Sequence, residues 1–83
     1  MYQAKLIAHA QRDLDSLPKN IFTRIIKEIR VLEANPRLHG SIKLTQSEGY
    51  RARIGDYRIL YRINDASKII YIYRIKHRRE AYR

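Results

Sequence analysis

From Tyr2 to Ile7 the chain alternates loosely, with Tyr2, Ala4 and Leu6 on one side, which predicts a short strand. The period then lengthens. Ala10, Leu14 and Leu17 follow the i, i+4, i+7 spacing of one helix face between His9 and Leu17. Pro18 stops that helix and suits the first turn of another. Ile21, Phe22, Ile25, Ile26, Ile29 and Leu32 form the clearest apolar stripe, with Lys19, Arg24, Lys27, Glu28 and Arg30 mostly off it. Asn35-Pro36 ends it. Two antiparallel helices joined at Pro18 are therefore predicted.

Residues 36–49 hold turn formers without a sustained period, which predicts a connecting loop with a short extended piece around Ile42–Leu44. Beyond it the period becomes two. Tyr50–Ile54, Tyr57–Ile63 and Lys68–Ile75 predict three consecutive strands, turned by Gly55-Asp56 and by Asn64–Ser67. The tail from His77 to Arg83 is charged and predicts irregular chain or one helical turn. The expected order is β-α-α-β-β-β. This is an α+β fold, a helical hairpin on one face of an antiparallel sheet, in a single domain over residues 1–83.

Charge changes the picture. The 83 residues carry 18 Lys and Arg against 8 Asp and Glu, a formal +10. Residues 1–42 contribute +3 and residues 43–83 contribute +7, so the excess sits on the sheet half. A chain this basic expects a polyanionic partner: nucleic acid, a nucleoprotein or an acidic protein. There is no cysteine, hence no disulfide or thiolate chemistry. His9, His39 and His77 lack metal-ligand spacing, so neither a metal nor another cofactor is expected. The longest apolar run, Ile69–Tyr73, is too short to span a membrane, and the N-terminus lacks an apolar export segment. A cytoplasmic protein without membrane attachment is the expectation.

The two-residue Gly55-Asp56 turn fixes a register. Ile54 should face Tyr57, Arg53 Arg58, Ala52 Ile59, Arg51 Leu60, and Tyr50 Tyr61. Alternation then gathers Tyr50, Ala52, Ile54, Tyr57, Ile59, Tyr61 and Ile63 on the core face. Arg51, Arg53, Arg58, Leu60 and Arg62 share the other. Like charges directly opposite one another destabilise a strand pair. Three guanidinium groups converging without a carboxylate between them therefore read as a phosphate-binding patch. The plainer alternative is a solvated outer sheet face. If Ile63 faces Lys68, then Arg58 faces Tyr73 and Leu60 faces Tyr71, and both tyrosines border the patch as base-stacking platforms or as ordinary sheet packing. His77, Arg78, Arg79 and Tyr82 follow the last strand. A histidine and a tyrosine among arginines form a candidate acid–base set; otherwise they are a basic tail.

The segment Tyr50–Tyr61 (YRARIGDYRILY) with Ile75–Arg83 (IKHRREAYR) resembles the RelE branch of the RelE/ParE toxin superfamily. Leu32–Arg37 and Lys43-Leu44 match its pattern too. The resemblance covers nearly the whole chain and implies the toxin of a type II toxin–antitoxin pair. It implies an endoribonuclease that cleaves mRNA in the ribosomal A site by 2′-hydroxyl attack on the adjacent phosphate, without a metal. The family's functional positions fall on Arg51 and Arg53, on Arg58, on Arg78 and on Tyr82. The expected catalytic set is Arg53, Arg58, His77, Arg78 and Tyr82, with Arg51, Arg62, Tyr73 and Arg79 holding RNA.

The best-known relative has lysines where Arg51 and Arg53 stand. Arginine grips phosphate but is a poor proton carrier, so acid–base work would fall to Tyr82 or His77. Expected partners are a RelB-like antitoxin, the ribosome and mRNA. Two alternatives stay open: a ParE-like inhibitor of DNA gyrase, and a basic nucleic-acid-binding module without catalysis.

Overall fold

The computed structural model describes residues 1–37, 42–43 and 49–81, with the backbone alone at 42, 43, 80 and 81. The elements are β1 (Gln3–Leu6), α1 (Ala8–Asp15), α2 (Lys19–Ala34), β2 (Ile42–Lys43), β3 (Tyr50–Ile54), β4 (Tyr57–Asn64), β5 (Ile69–His77) and a short α3 (Arg78–Ala81). They form a five-stranded sheet in the order β1-β5-β4-β3-β2. Strands β2 to β5 run antiparallel, as expected. β1 adds to the β5 edge in parallel, so the sheet is mixed at that edge. The expected extended piece in the long connection is β2, pairing with Tyr50 and Arg51, and Leu44 lies outside the described residues.

The helices cover one sheet face because their apolar stripes need burial. Ala10 and Leu14 from α1, with Ile25, Ile29 and Leu32 from α2, meet Ala52, Ile59, Tyr61, Ile70, Ile72 and Ile75 of the sheet. Tyr50, Ile54, Tyr57 and Ile63 pack around this core as the alternation requires. Phe22 is the exception in the α2 stripe and stays exposed. Buried Tyr61 donates its hydroxyl to the Pro36 carbonyl at 2.7 Å, tying the exit of α2 to the sheet centre.

The β3–β4 register matches the expectation at all five pairs, Tyr50–Tyr61 through Ile54–Tyr57. Gly55 has φ +56° and Asp56 does not share that left-handed conformation, the pattern of a Gly-X hairpin turn. A Cβ at Gly55 would also sit 3.3 Å from the Arg24 guanidinium of α2.

The β4–β5 register departs from the expectation. Ile63 faces Ile70 rather than Lys68, Arg62 faces Tyr71, Leu60 faces Arg74, and Arg58 faces Lys76. Two local events cause this. The turn is Asp65–Lys68, because Lys68 adopts φ +59° and belongs to the loop. A bulge then lies between Leu60 and Tyr61, opposite which Tyr73 is the extra residue. The strand also continues to His77, past its expected end at Ile75. Beyond Ile72 the β5 edge has no strand partner among the described residues, since β1 ends there. Asp13 of α1 closes that gap, accepting from the Ile75 N–H at 2.9 Å and from Arg74 Nε at 2.8 Å.

Candidate functional site

The β3–β4 hairpin brings Arg53 and Arg58 directly opposite one another, with Arg51 two residues along β3 on the same face. The environments of the three differ. Arg53 is exposed and Arg51 half-buried, but Arg58 is only 2% exposed, where an outer-face position predicts solvent. Its Nη1 donates to the Tyr57 carbonyl at 3.2 Å. Among the described residues no carboxylate pairs with it. A buried cation whose one acceptor among the described residues is a neutral carbonyl is held at a cost in desolvation. Such a group is preorganised for an anion that the described residues do not supply.

The corrected β5 register adds a cation that sequence reading missed. Lys76 stands opposite Arg58 on the arginine face. The bulge hid it, because a one-residue shift exchanges the faces of everything beyond. Arg51, Arg53, Arg58 and Lys76 thus form one cationic surface across three strands.

His77 takes the opposite face. It pairs with Tyr57 and meets that ring edge-on, with centroids 5.1 Å apart and planes at 87°. Since Tyr57 belongs to the core side, the His77 ring lies on the helix side of the sheet, behind Arg58. Its Nδ1 accepts from the Arg79 N–H at 3.3 Å, which anchors the start of α3. His77, Arg78 and Arg79 with Asp56 line a cleft of about 600 Å³ at the hairpin turn. Arg78 lies 3.8 Å from the Asp56 carboxylate, both exposed, and its N–H donates to the Asp56 carbonyl. Arg78 and Arg79 are therefore near the cationic surface, joined to it through the turn. The Glu80 side chain and Tyr82 lie outside the described residues.

Tyr71 and Tyr73 do not border Arg58. They flank Arg62, whose guanidinium carbon lies 5.5 Å from the centre of the Tyr73 ring. With Ile7 they line a groove of about 340 Å³, in which Tyr71 and Ile7 are exposed. This groove is on β4 about 13 Å from Arg58, four residues along the same face.

The far end of the sheet carries a separate polar cluster. Arg37 donates to both Asp65 carboxylate oxygens, at 3.0 and 2.9 Å, and to the Tyr50 hydroxyl at 3.3 Å. Tyr2 donates its hydroxyl to Asp65. The Arg37 hydrogen bond, then that of Tyr2, holds the Asp65 carboxyl down at about 2, and Asp65 in turn raises the Tyr2 phenol above its ordinary value. This clasp joins the N-terminus, the exit of α2 and the β4–β5 turn. Among the described residues no cluster of potential metal ligands occurs.

A helical hairpin packed on a mixed sheet presents clustered arginines on the open face, which defines a small basic α+β domain, and known toxins are similar to it in sequence and fold. Residues 5–82 match the family model of the ParE toxin of type II toxin-antitoxin systems. Toxin RelG of Mycobacterium tuberculosis is 32% identical over 99% of this chain and 97% of its own length. Toxin RelE of the same organism is 34% identical over 99% and 87%. The toxin–antitoxin complex RelBE2 from M. tuberculosis aligns with TM-score 0.85 and 32% identity over 93% of this chain and 98% of that one. The archaeal RelE–RelB complex from Pyrococcus horikoshii aligns at 0.80 with 35% identity, over 93% and 94%. The chain belongs to the RelE/ParE superfamily and is the toxin of a type II toxin–antitoxin system.

Proposed function

We propose that this toxin is an endoribonuclease that cleaves mRNA on the ribosome. The observation that carries the reading is the buried Arg58 between Arg53 and Lys76, which pairs with no carboxylate among the described residues. The 2′-hydroxyl of one nucleotide attacks the next phosphate, leaving a 2′,3′-cyclic phosphate and a free 5′-hydroxyl. Negative charge builds on the phosphorane oxygens. Arg58 and Arg53, with Arg78 from the start of α3, stabilise it, each by about 2–4 kcal/mol on the scale of a single oxyanion donor. Arg51 positions the backbone, while Arg62, Tyr73 and Arg79 hold neighbouring nucleotides. His77 acts through α3, which it anchors from behind, and Tyr82 remains a candidate base. The excess positive charge draws the protein to ribosomal RNA without sequence preference, in the cytoplasm.

A RelB-like antitoxin, acidic or amphipathic, covers the cationic face and neutralises the arginine repulsion. The similar solved structures, complexes of RelE-type toxins with their antitoxins, support this partner.

The match to a ParE family model favours gyrase inhibition as the second reading. One experiment separates the two. Purified toxin is incubated with programmed ribosomes at the lowest Mg²⁺ that keeps them assembled and at higher Mg²⁺, RNA ends are mapped, and gyrase supercoiling is assayed in parallel. The endoribonuclease reading expects cyclic-phosphate ends that persist when metal is limited to what the ribosome needs. No cleavage together with inhibited supercoiling establishes the alternative.

A further inference from the structure

We propose that Lys76 is the proton donor to the leaving group, a role that rests on the endoribonuclease reading above. Three observations converge on it. Lys76 faces Arg58 across the β4–β5 ladder, which brings Cβ atoms to about 4.5–5.5 Å on one sheet face. It is half-buried, so its ammonium group can reach an anion held by Arg58 while remaining open to water. It is also the one group on the Arg51–Arg53–Arg58 surface, among the described residues, that is not an arginine yet carries a transferable proton. A guanidinium does not release its proton in a protein, whereas an ammonium does. His77, the neighbouring titratable group, is turned to the helix side against Tyr57.

The step balances as follows. The 2′-hydroxyl gives its proton to the base, Tyr82 or water, and its oxygen bonds to phosphorus. The bond from phosphorus to the 5′ oxygen breaks, and the electron pair stays on that oxygen. The oxygen takes a proton from the Lys76 ammonium and leaves as a hydroxyl. The neutral amine regains its proton from water.

The test compares two mRNAs on programmed ribosomes in single turnover: the natural one, and one with sulfur replacing the bridging 5′ oxygen at the cleavage site. A thiolate leaves without protonation. Lys76→Met should slow cleavage of the natural mRNA roughly 10²–10³-fold. The same variant should stay within a few-fold of wild type on the sulfur substrate. Lys76→Arg should behave like Lys76→Met, because it restores charge but not a transferable proton. Equal slowing on both substrates, or full rescue by Lys76→Arg, overturns the proposal and leaves Lys76 as a phosphate contact. Failure of the wild type to cleave either mRNA overturns the endoribonuclease reading itself. Circular dichroism and antitoxin binding check the fold of each variant, and Lys76→Gln replaces Lys76→Met if the latter is unfolded.

Discussion

Arg53 and Arg58 face each other across the β3–β4 hairpin, yet one is exposed and the other 2% exposed. The fold thus holds a like-charge pair with one member desolvated, an arrangement that burial of apolar surface would not produce. Replacing a buried ion pair by apolar side chains of similar volume is often neutral or stabilising by about 1–4 kcal/mol, and Arg58 is a buried charge with no ion-pair partner among the described residues. Arg58→Met should therefore melt at or above wild type, while cleavage falls roughly 10²–10³-fold. Urea unfolding alongside the ribosome assay checks both. Wild-type cleavage by Arg58→Met would remove Arg58 from the site.

Asp13 is the opposite case, a carboxylate needed for stability. It satisfies the Ile75 N–H and Arg74 together at an edge that β1 leaves open. Asp13→Ala should lower unfolding free energy by about 2 kcal/mol, since it strands a partly buried donor and a cation. Urea denaturation measures the loss.

The Arg37–Asp65–Tyr2 clasp predicts an acid limb. The Asp65 carboxyl lies at about 2 in the folded protein against an ordinary 3.8, held down first by Arg37 and then by Tyr2. A folded-state value below the unfolded one gives stability that is present above pH 3.8 and disappears as pH falls through 2. Wild type should thus melt above Asp65→Asn near neutrality, with the gap closing between about pH 4 and pH 2. Both groups are exposed, so added salt should narrow the gap. Melting curves across pH at two ionic strengths test this.

The Tyr71–Arg62–Tyr73 groove predicts a binding effect without a chemical one. Stacking of a base on an aromatic ring is worth about 1–3 kcal/mol. Tyr71→Ala and Tyr73→Ala should weaken RNA capture by that order while leaving the cleavage rate at saturation unchanged. Single-turnover titration separates the two quantities, and a loss confined to antitoxin affinity would reassign the groove to that partner.

Gly55 sets the register that aligns the arginines. Its φ of +56° opposes any side chain, while the Arg24 guanidinium 3.3 Å from a would-be Cβ is an exposed, flexible end that can yield. Gly55→Val should destabilise by at least about 1–2 kcal/mol. Cleavage should fall with it if the hairpin shifts; a thermal melt and the ribosome assay together read the outcome.

Much of this architecture is legible in the chain. The two helices follow from Ala10/Leu14 and Ile25/Ile29/Leu32, and the β3–β4 pairing follows from a two-residue turn that allows one register. The Arg53–Arg58 opposition was therefore readable from local rules. The β4–β5 pairing was not. A four-residue turn closed by Lys68 in a left-handed conformation and a bulge at Tyr73 leave no mark in the alternation of an apolar strand. Those two events decide that Lys76, not Tyr73, stands opposite Arg58. The parallel addition of β1 and the burial of Arg58 also belong to the tertiary structure, because each depends on which surfaces remain to be covered once the helices have docked. The sequence alone determined how much charge the protein carries and which hairpin concentrates it. Packing decided which cation is desolvated, Arg58, and which second cation, Lys76, stands opposite it.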